Sequence, residues 1–347
     1  MVYPENFESK IGFDFVRNRL IQFCSSGASQ RLAEAMQFSS SFEEVDKELN
    51  LVKEFKDLFE RSLDFPSNHF YDPQDWFYRA AIEGNFLEAH ELRQFSLALD
   101  TLQSSIIFLK KNSELFPHLF ALSSDVQQQD VIKKTINEKI DDASHVKDNA
   151  STELGRVRKK LRDEQHTVRR MAEQIFRMAV SEKWVPDGAL PTIRDGRVVI
   201  PVLAEHKRRL KGFVLDESAT GQTVFMEPAE MLDANNAIRE LEHAERREVI
   251  RILKELTNTI RLALPELNTA FSFLARLDFI RAKAKMALEL RAVKPIFINQ
   301  PALHWQQAKH PVLIYTFKGK KEVIPLNIKL EEDAAMLLVS GPNAGGK

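Results

Sequence analysis

The chain has 347 residues, and its 49 Lys and Arg nearly cancel its 50 Asp and Glu, which excludes global steering toward a polyanion and leaves such binding to local patches. Its length suffices for two or three domains with a sizeable core, and 44% hydrophobic residues is the balance of a globular chain. A single cysteine, Cys24, excludes an internal disulfide and a cysteine-rich zinc site, and neither an apolar run approaching ~18 residues nor an apolar N-terminal stretch marks a membrane span or secretory signal, so a soluble, cytoplasmic protein is expected.

Residues 5–122 read as all-helical. Phe7, Ile11, Phe15, Leu20 and Phe23 recur near helical spacing, and Ser29 opens a second short helix through Leu32 and Met36. Over 41–63 the residues Val45, Leu49, Val52, Phe55 and Phe59 share one face, with Ser41 and Glu44 at capping-box spacing. A break at 64–68 precedes a long helix over about 87–111, rich in Leu, Ile and Phe. The pattern loosens at 131–148, where 139–142 and 145–148 fit a small exposed hairpin.

The segment 150–184 is a long helical arm. Leu154, Leu161, Val168 and Ile175 repeat every seven residues, with Val157, Met171 and Met178 as the offset set and Glu164 as the polar break. That is a coiled-coil seam, about 50 Å long at a rise of ~1.5 Å per residue. Its other faces carry Arg156, Arg158, Lys159, Lys160, Arg162, Arg169 and Arg170, which read as a solvated surface.

Residues 192–228 form a β island in this helical chain. Asp195-Gly196, between Thr192-Ile193-Arg194 and Arg197-Val198-Val199-Ile200, is the dipeptide expected in a two-residue hairpin turn. Gly212 leads into Phe213-Val214-Leu215 and Gly221 precedes a run ending at Met226, so about four short strands are expected. The link at 205–211 is strongly basic. Pro228 suits the first turn of a return helix, running to about 264 with Ile238, Leu241, Val249, Ile252, Leu256 and Ile260 as its apolar face. Glu240, Glu242, Glu245, Glu248 and Glu255 make this arm acidic, so antiparallel pairing with the basic arm is favourable. Pro265 opens a further helix to about 290.

After Lys294-Pro295 the pattern turns to strand: Ile296-Phe297-Ile298, Val312-Leu313-Ile314-Tyr315, Val323-Ile324, and a buried-strand run at 335–339. That run leads into Gly341-Pro342-Asn343-Ala344-Gly345-Gly346-Lys347, which fits G-x-x-x-x-G-K. In such a loop glycines let backbone N–H groups turn toward nucleotide phosphates, the lysine adds a charge, and a following Ser or Thr holds magnesium. The Ser or Thr is not in the sequence. The chain is therefore expected to be truncated inside an ATPase domain, with ATP and Mg2+ as cofactors of the intact protein and neither held productively by this stretch.

Long arms, a β tip and a late GPNAGGK loop resemble the MutS family, and Ala308-Lys309-His310-Pro311-Val312-Leu313 is similar to the His-Pro strand that opens its ATPase domain. Arg194-Asp195-Gly196-Arg197, Lys211-Gly212-Phe213-Val214, Glu217-Ser218-Ala219-Thr220-Gly221 and Phe225-Met226-Glu227-Pro228 are similar to the bacterial second-paralogue branch, whose full-length members end in a Smr nuclease domain. The resemblance covers essentially the whole chain. It implies a mainly α fold with a helical core at 1–130, an outgoing lever helix at 131–185, and a β-rich clamp tip at 186–228. A return lever and core helix follow at 229–292, with the first strands of an α/β ABC-type ATPase at 293–347. It further implies a homodimer when intact, closing on DNA (branched or duplex) under ATP control to suppress recombination. Stalled or collided ribosomes, gripped through rRNA, are the alternative target, so association with the nucleoid or with ribosomes follows. Because the core helices are expected to start near residue 5, mismatch recognition through the mispair-reading wedge of mismatch-correcting relatives is not expected. Phe86-Leu87-Glu88 matches its Phe-x-Glu form, but among 24 phenylalanines such a match arises by chance.

Phosphate contact is expected from Arg194, Arg197, Lys207, Arg208, Arg209 and Lys211, with a log–log salt slope near −5 if five or six take part (~0.9 per contact) and no reading of bases. His206, His304 and His310 lack the neighbours of a metal site, and no residue pair fits nucleophilic catalysis. A chromosome-condensing coiled-coil ATPase is disfavoured because its nucleotide loop precedes the coil.

Overall fold

A computed structural model of the chain describes residues 6–300, 302–317, 319–330 and 336–338. Helices α1 (Phe7–Lys10), α2 (Phe13–Phe23), α3 (Gly27–Glu34), α4 (Phe42–Glu60), α5 (Gln74–Ala81), α6 (Ala89–Lys111), α7 (Pro117–Ala121) and α8 (Asp130–Lys139) lead to the long α9 (Thr152–Ser181). Strands β1 (Thr192–Arg194), β2 (Arg197–Leu203), β3 (Gly212–Glu217) and β4 (Thr223–Pro228) follow. Then come α10 (Leu232–Leu262), α11 (Leu264–Glu289), β5 (Leu303–Ala308), α12 (Pro311–Phe317) and β6 (Leu326–Leu330). The architecture is mainly helical with a small antiparallel sheet, and no helix among the described residues is long and apolar enough to cross a membrane. Two compact units emerge: one comprises Met1–Ala81, Gln94–Lys133 and Ile260–Lys347, the other Ile82–Arg93 and Lys134–Thr259.

In the first unit α11 is the central helix. It buries Leu267, Phe271, Leu274, Leu277, Phe279 and Ile280, residues that point in every direction around its axis, as a helix surrounded by others must. Trp76, Phe95 and Phe271 touch ring to ring, as do Phe55, Phe65 and Phe108. On α4 the deepest stripe is Leu51, Phe55 and Leu58, one register step from the Val52-Phe55-Phe59 face expected from spacing, with Val52 and Phe59 half-buried. The Ser41 side chain caps α4 by accepting from the Glu44 N–H, while the Glu44 carboxylate turns to the Ser39 hydroxyl, so only half of the capping box forms.

Helix α3 begins earlier than Ser29. Ser26 is its cap, accepting from the Ser29 N–H at 3.2 Å, and Ser29 is buried in the first turn. The reason lies on α11. Asp278, fully buried, accepts from the backbone N–H groups of Ser25 (2.8 Å) and Ser26 (3.1 Å) and from the Ser29 hydroxyl (2.5 Å). Its other oxygen takes two bonds from Arg281, at 3.1 and 2.7 Å. Cys24 sits beside this cluster, and burial pushes its thiol up to about 11, which makes it a small core residue rather than a reactive one.

The segment after 293 departs from expectation. Ile296, Phe297 and Ile298 form no strand and are exposed. Val312-Leu313-Ile314-Tyr315 belong to helix α12, because Pro311 stands at its first position, where a missing N–H costs nothing and a fixed φ favours helix. Val323-Ile324 precede β6, which pairs antiparallel with β5 in a two-stranded sheet. Met336, Leu337 and Leu338 are exposed and in no strand, since a buried strand requires ladder partners and none lies beside them among the described residues. Gly341 to Lys347 lie outside the described residues.

In the second unit, the bridge Ile140–Val146 closes the expected hairpin, but both residues are buried rather than exposed. Arg158 holds it in place. The guanidinium donates to the Val146 carbonyl, the Asp148 carboxylate and Glu245 of α10, each at 2.7 Å. This residue, expected on a solvated face, is instead the junction of hairpin, α9 and α10, and with Arg162 it holds the Asp148 carboxyl below the usual range. Glu248 of α10 is held at about 2 by Arg251 and by the Ser151 hydroxyl that caps α9. The apolar row of α9 is Leu154, Val157, Leu161, Val168, Ala172, Ile175 and Ala179. Ala172 and Ala179 replace the expected Met171 and Met178, because a straight helix turns every 3.6 residues and drifts off a strict seven-residue seam.

Candidate nucleic-acid interface

The sheet at the end of α9 has strand order β1-β2-β4-β3, antiparallel throughout. Asp195 (φ 49) and Gly196 (φ 73) form the turn between β1 and β2, both left-handed as a tight hairpin between right-twisted strands requires. One sheet face, with Ile200, Val202, Val224 and Met226, packs on Val168, Ala172 and Ile175 of α9 and on Ile238 of α10.

The opposite face is polar and internally bonded. Arg194 lies across it, 4.3 Å over the Phe225 ring, and donates to Asp216 of β3 at 3.0 Å. Arg197 donates to Glu227 of β4 and, at 2.9 Å, to Asn236 of α10. Glu227 is only 1% exposed and also accepts from Asn235 at 2.8 Å. This residue is thus the buried counter-charge of Arg197. Pro228 ends β4, and α10 begins only at Leu232 after a single 3-10 turn, because the Glu227–Asn235 bond draws the first helical turn back over the strand. Arg239 adds a bond to the Asp195 carbonyl at 2.7 Å.

Strand β3 starts where two backbones nearly touch. A Cβ on Gly212 would lie 2.2 Å from the Glu227 carbonyl oxygen and 2.9 Å from the Pro228 Cα. Gly212→Ala is therefore expected to lift the start of β3 off β4 and cost about 1–3 kcal/mol, the usual range for overpacking. Amide hydrogen exchange in 213–217 would accelerate in this variant; exchange and melting like wild type would refute the close approach.

Lys207, Arg208, Arg209 and Lys211 lie on the link between β2 and β3. The link is anchored at both ends by Ala204 N–H to the Gln222 carbonyl and Ala229 N–H to the Lys211 carbonyl, each 2.9 Å. Just before Lys211, the buried Leu210 plugs into the sheet core. With the backbone held, all four basic side chains stand exposed, and none forms an ion pair or side-chain hydrogen bond with a described residue. His206 beside them is 3.6 Å from Glu205. The six expected contact residues thus divide: four project freely from one loop, whereas Arg194 and Arg197 serve the sheet's own polar face.

Two cations near the sheet carry no sequence signal beyond helix charge. Arg169 has no partner among the described residues, and Arg177 meets Glu173 only at 3.9 Å. They flank a recess of about 450 Å³ between α9 and β1. The usable signal was Leu190 and Ile193, large apolar residues beside a tight turn, which are 71% and 64% exposed at its mouth.

No protein-family model matches the chain. It is 33% identical over 338 residues to the Endonuclease MutS2 of Geobacillus sp. (strain WCH70) and 31% identical over 338 residues to that of Lactobacillus helveticus. Both alignments cover 96% of this chain and 42% of the relative. With the Endonuclease MutS2 of Pelotomaculum thermopropionicum it shares 33% identity over 269 residues, 78% of this chain and 33% of the relative. The chain thus spans less than half the length of the curated relatives it matches, and is MutS2-like along nearly all of its own.

Proposed function

We propose that this MutS2-like chain is the helical core and clamp of a DNA-binding ATPase, gripping branched or duplex DNA through residues 186–228 without reading sequence. The observation that carries the reading is the anchored link with Lys207, Arg208, Arg209 and Lys211 free in solvent. A held backbone limits the ordering cost of docking, and four unpaired cations release counterions when they meet phosphates. Arg194 and Arg197 shape the sheet beneath them and take part in binding through that support. Residues 131–185 and the α10 part of 229–292 form the lever that carries the tip, and α11 is the core helix. Residues Gly341 to Lys347 would cradle the phosphates of ATP in the intact, dimeric protein, where ATP with Mg2+ supplies the energy of clamp closure. Suppression of recombination is the process such a grip serves, and the ribosome is the alternative polyanion.

The test is binding of the chain to four-way DNA junctions, linear duplex and purified ribosomes over a salt series, beside the variant with Lys207, Arg208, Arg209 and Lys211 all changed to Ala. At ~0.9 per contact, the four residues account for about 3.6 of the log–log salt slope, which the variant loses along with most of its affinity. Strong ribosome binding with little DNA affinity would move the function to translation. A variant that binds like wild type would refute the role of the link.

A further inference from the structure

We propose that the groove bounded by α3, α4 and α11 binds a small amphipathic carboxylate, with its acid group against Lys283 and Arg276 and its apolar chain along Val45, Leu49 and Val52. The groove lies within the first unit, and the inference is independent of the nucleic-acid reading of the tip.

The groove holds about 690 Å³, within the ~300–1,000 Å³ of small-molecule sites. Its long wall is the stripe Val45, Leu49 and Val52, spaced i, i+4, i+7 and so about 10 Å long at ~1.5 Å per residue. That spacing marks a core-facing stripe, yet the core takes Leu51, Phe55 and Leu58 of α4 and leaves all three half-buried. Leu32 and Met36 of α3 line the groove with them.

The polar end is short of one negative charge. Arg276 and Lys283, about two turns apart on α11, both reach the Glu48 carboxylate: Arg276 donates to Oε1 and Lys283 to Oε2, the latter at 3.1 Å. The Phe279 ring supports both cations, 4.2 Å from the Lys283 Nζ and 5.8 Å from the Arg276 guanidinium carbon, an attraction that does not neutralise them. Of the other charged lining residues, Glu44 is engaged by the Ser39 hydroxyl, and Lys47 is exposed with no partner among the described residues. Three cations therefore face two carboxylates. Burial holds Arg276 below its ordinary value, and burial with the Arg276 charge pushes Lys283 down to about 8, as expected of cations with too little anion beside them. A further carboxylate restores the balance, and an apolar chain on it covers the α4 stripe. An anion without a chain leaves the stripe in water, and a chain without an acid leaves the cations short.

The test is titration of the full chain with decanoate, decan-1-ol and acetate, followed by calorimetry and by the methyl resonance of Met36. Decanoate is expected to bind about tenfold tighter than decanol and to shift Met36, while acetate shows no binding at the same concentrations. A bound carboxylate favours the ammonium form of Lys283, so decanoate affinity is full below about pH 7 and falls about fivefold by pH 9. Lys283→Arg keeps the preference for decanoate and loses that fall. Lys283→Met leaves Arg276 and Glu48 as a balanced pair; it brings decanoate down to the level of decanol without altering hydrogen exchange of α4 and α11. Equal binding of decanoate and decanol, binding that leaves Met36 unmoved, or an undiminished preference in Lys283→Met overturns the proposal. No binding of decanoate overturns it and leaves the groove to a protein segment. A Met36 shift that follows protein concentration rather than decanoate overturns it in favour of a second copy of the chain.

Discussion

Asp278→Ala is expected to unfold the packing of α2 and α3 on α11, at a cost of about 3–5 kcal/mol. The wild-type carboxylate is fully buried and satisfies five donors: two backbone N–H groups, the Ser29 hydroxyl and two N–H groups of Arg281. Removing it leaves Arg281, itself 4% exposed, as a buried cation without its carboxylate, and strips the start of α3 of its acceptor. Arg281 retains its bond to the Ser25 hydroxyl, a neutral partner that does not balance its charge. Asp278→Asn keeps the shape but loses the charge and turns an N–H₂ toward donors, so it recovers little. Urea melting followed through hydrogen exchange of α3 and α11 amides would measure the loss. A loss below ~1 kcal/mol in both variants would mean that water or a rearranged serine replaces the carboxylate.

Glu227→Ala is the second large effect, and it belongs to the other unit. Glu227 is 1% exposed and Arg197 16%. Breaking such a pair from one side leaves an uncompensated buried charge, again about 3–5 kcal/mol, whereas replacing both members with apolar residues of similar volume often costs little. Glu227→Ala is therefore expected to speed exchange across β2 and β4 and loosen the first turn of α10, which Asn235 and Asn236 tie to this pair. The double change Arg197→Met, Glu227→Leu recovers most of that loss. Because the chain forms two units, a single melting temperature is a poor readout and local exchange is the sound one. If the double variant is no better than Glu227→Ala, the cost comes from packing at β4 rather than from the stranded arginine.

These effects differ in how far a reader of the sequence could anticipate them. Local rules act within a few residues. They placed the Asp195-Gly196 turn, the four strands around it, and the long helices at 152–181 and 232–262. The basic link at 205–211 was equally visible, because a run of unpaired cations between two strands has nowhere to go but solvent. Likeness to MutS2 proteins was visible in short motifs before any fold was known.

Tertiary structure decided the rest, because partners distant in sequence compete for the same groups. The helix expected to open at Ser29 starts earlier, capped by Ser26, because Asp278, roughly 250 residues away, accepts the N–H groups ahead of it. Glu227 became a buried counter-charge because Arg197 and Asn235 converge on it from a strand and a helix. Arg194 and Arg197 look like Lys207 and Arg208 in sequence, yet only the sheet's geometry shows which cations are bonded and which remain free. Apolar runs such as 312–315 fit strand or helix equally well by composition; Pro311 and the packing of α12 on α2 resolved that ambiguity. The recess beside Ile193 was beyond reach for the same reason: a cavity is a relation between elements, and no single stretch of chain carries it.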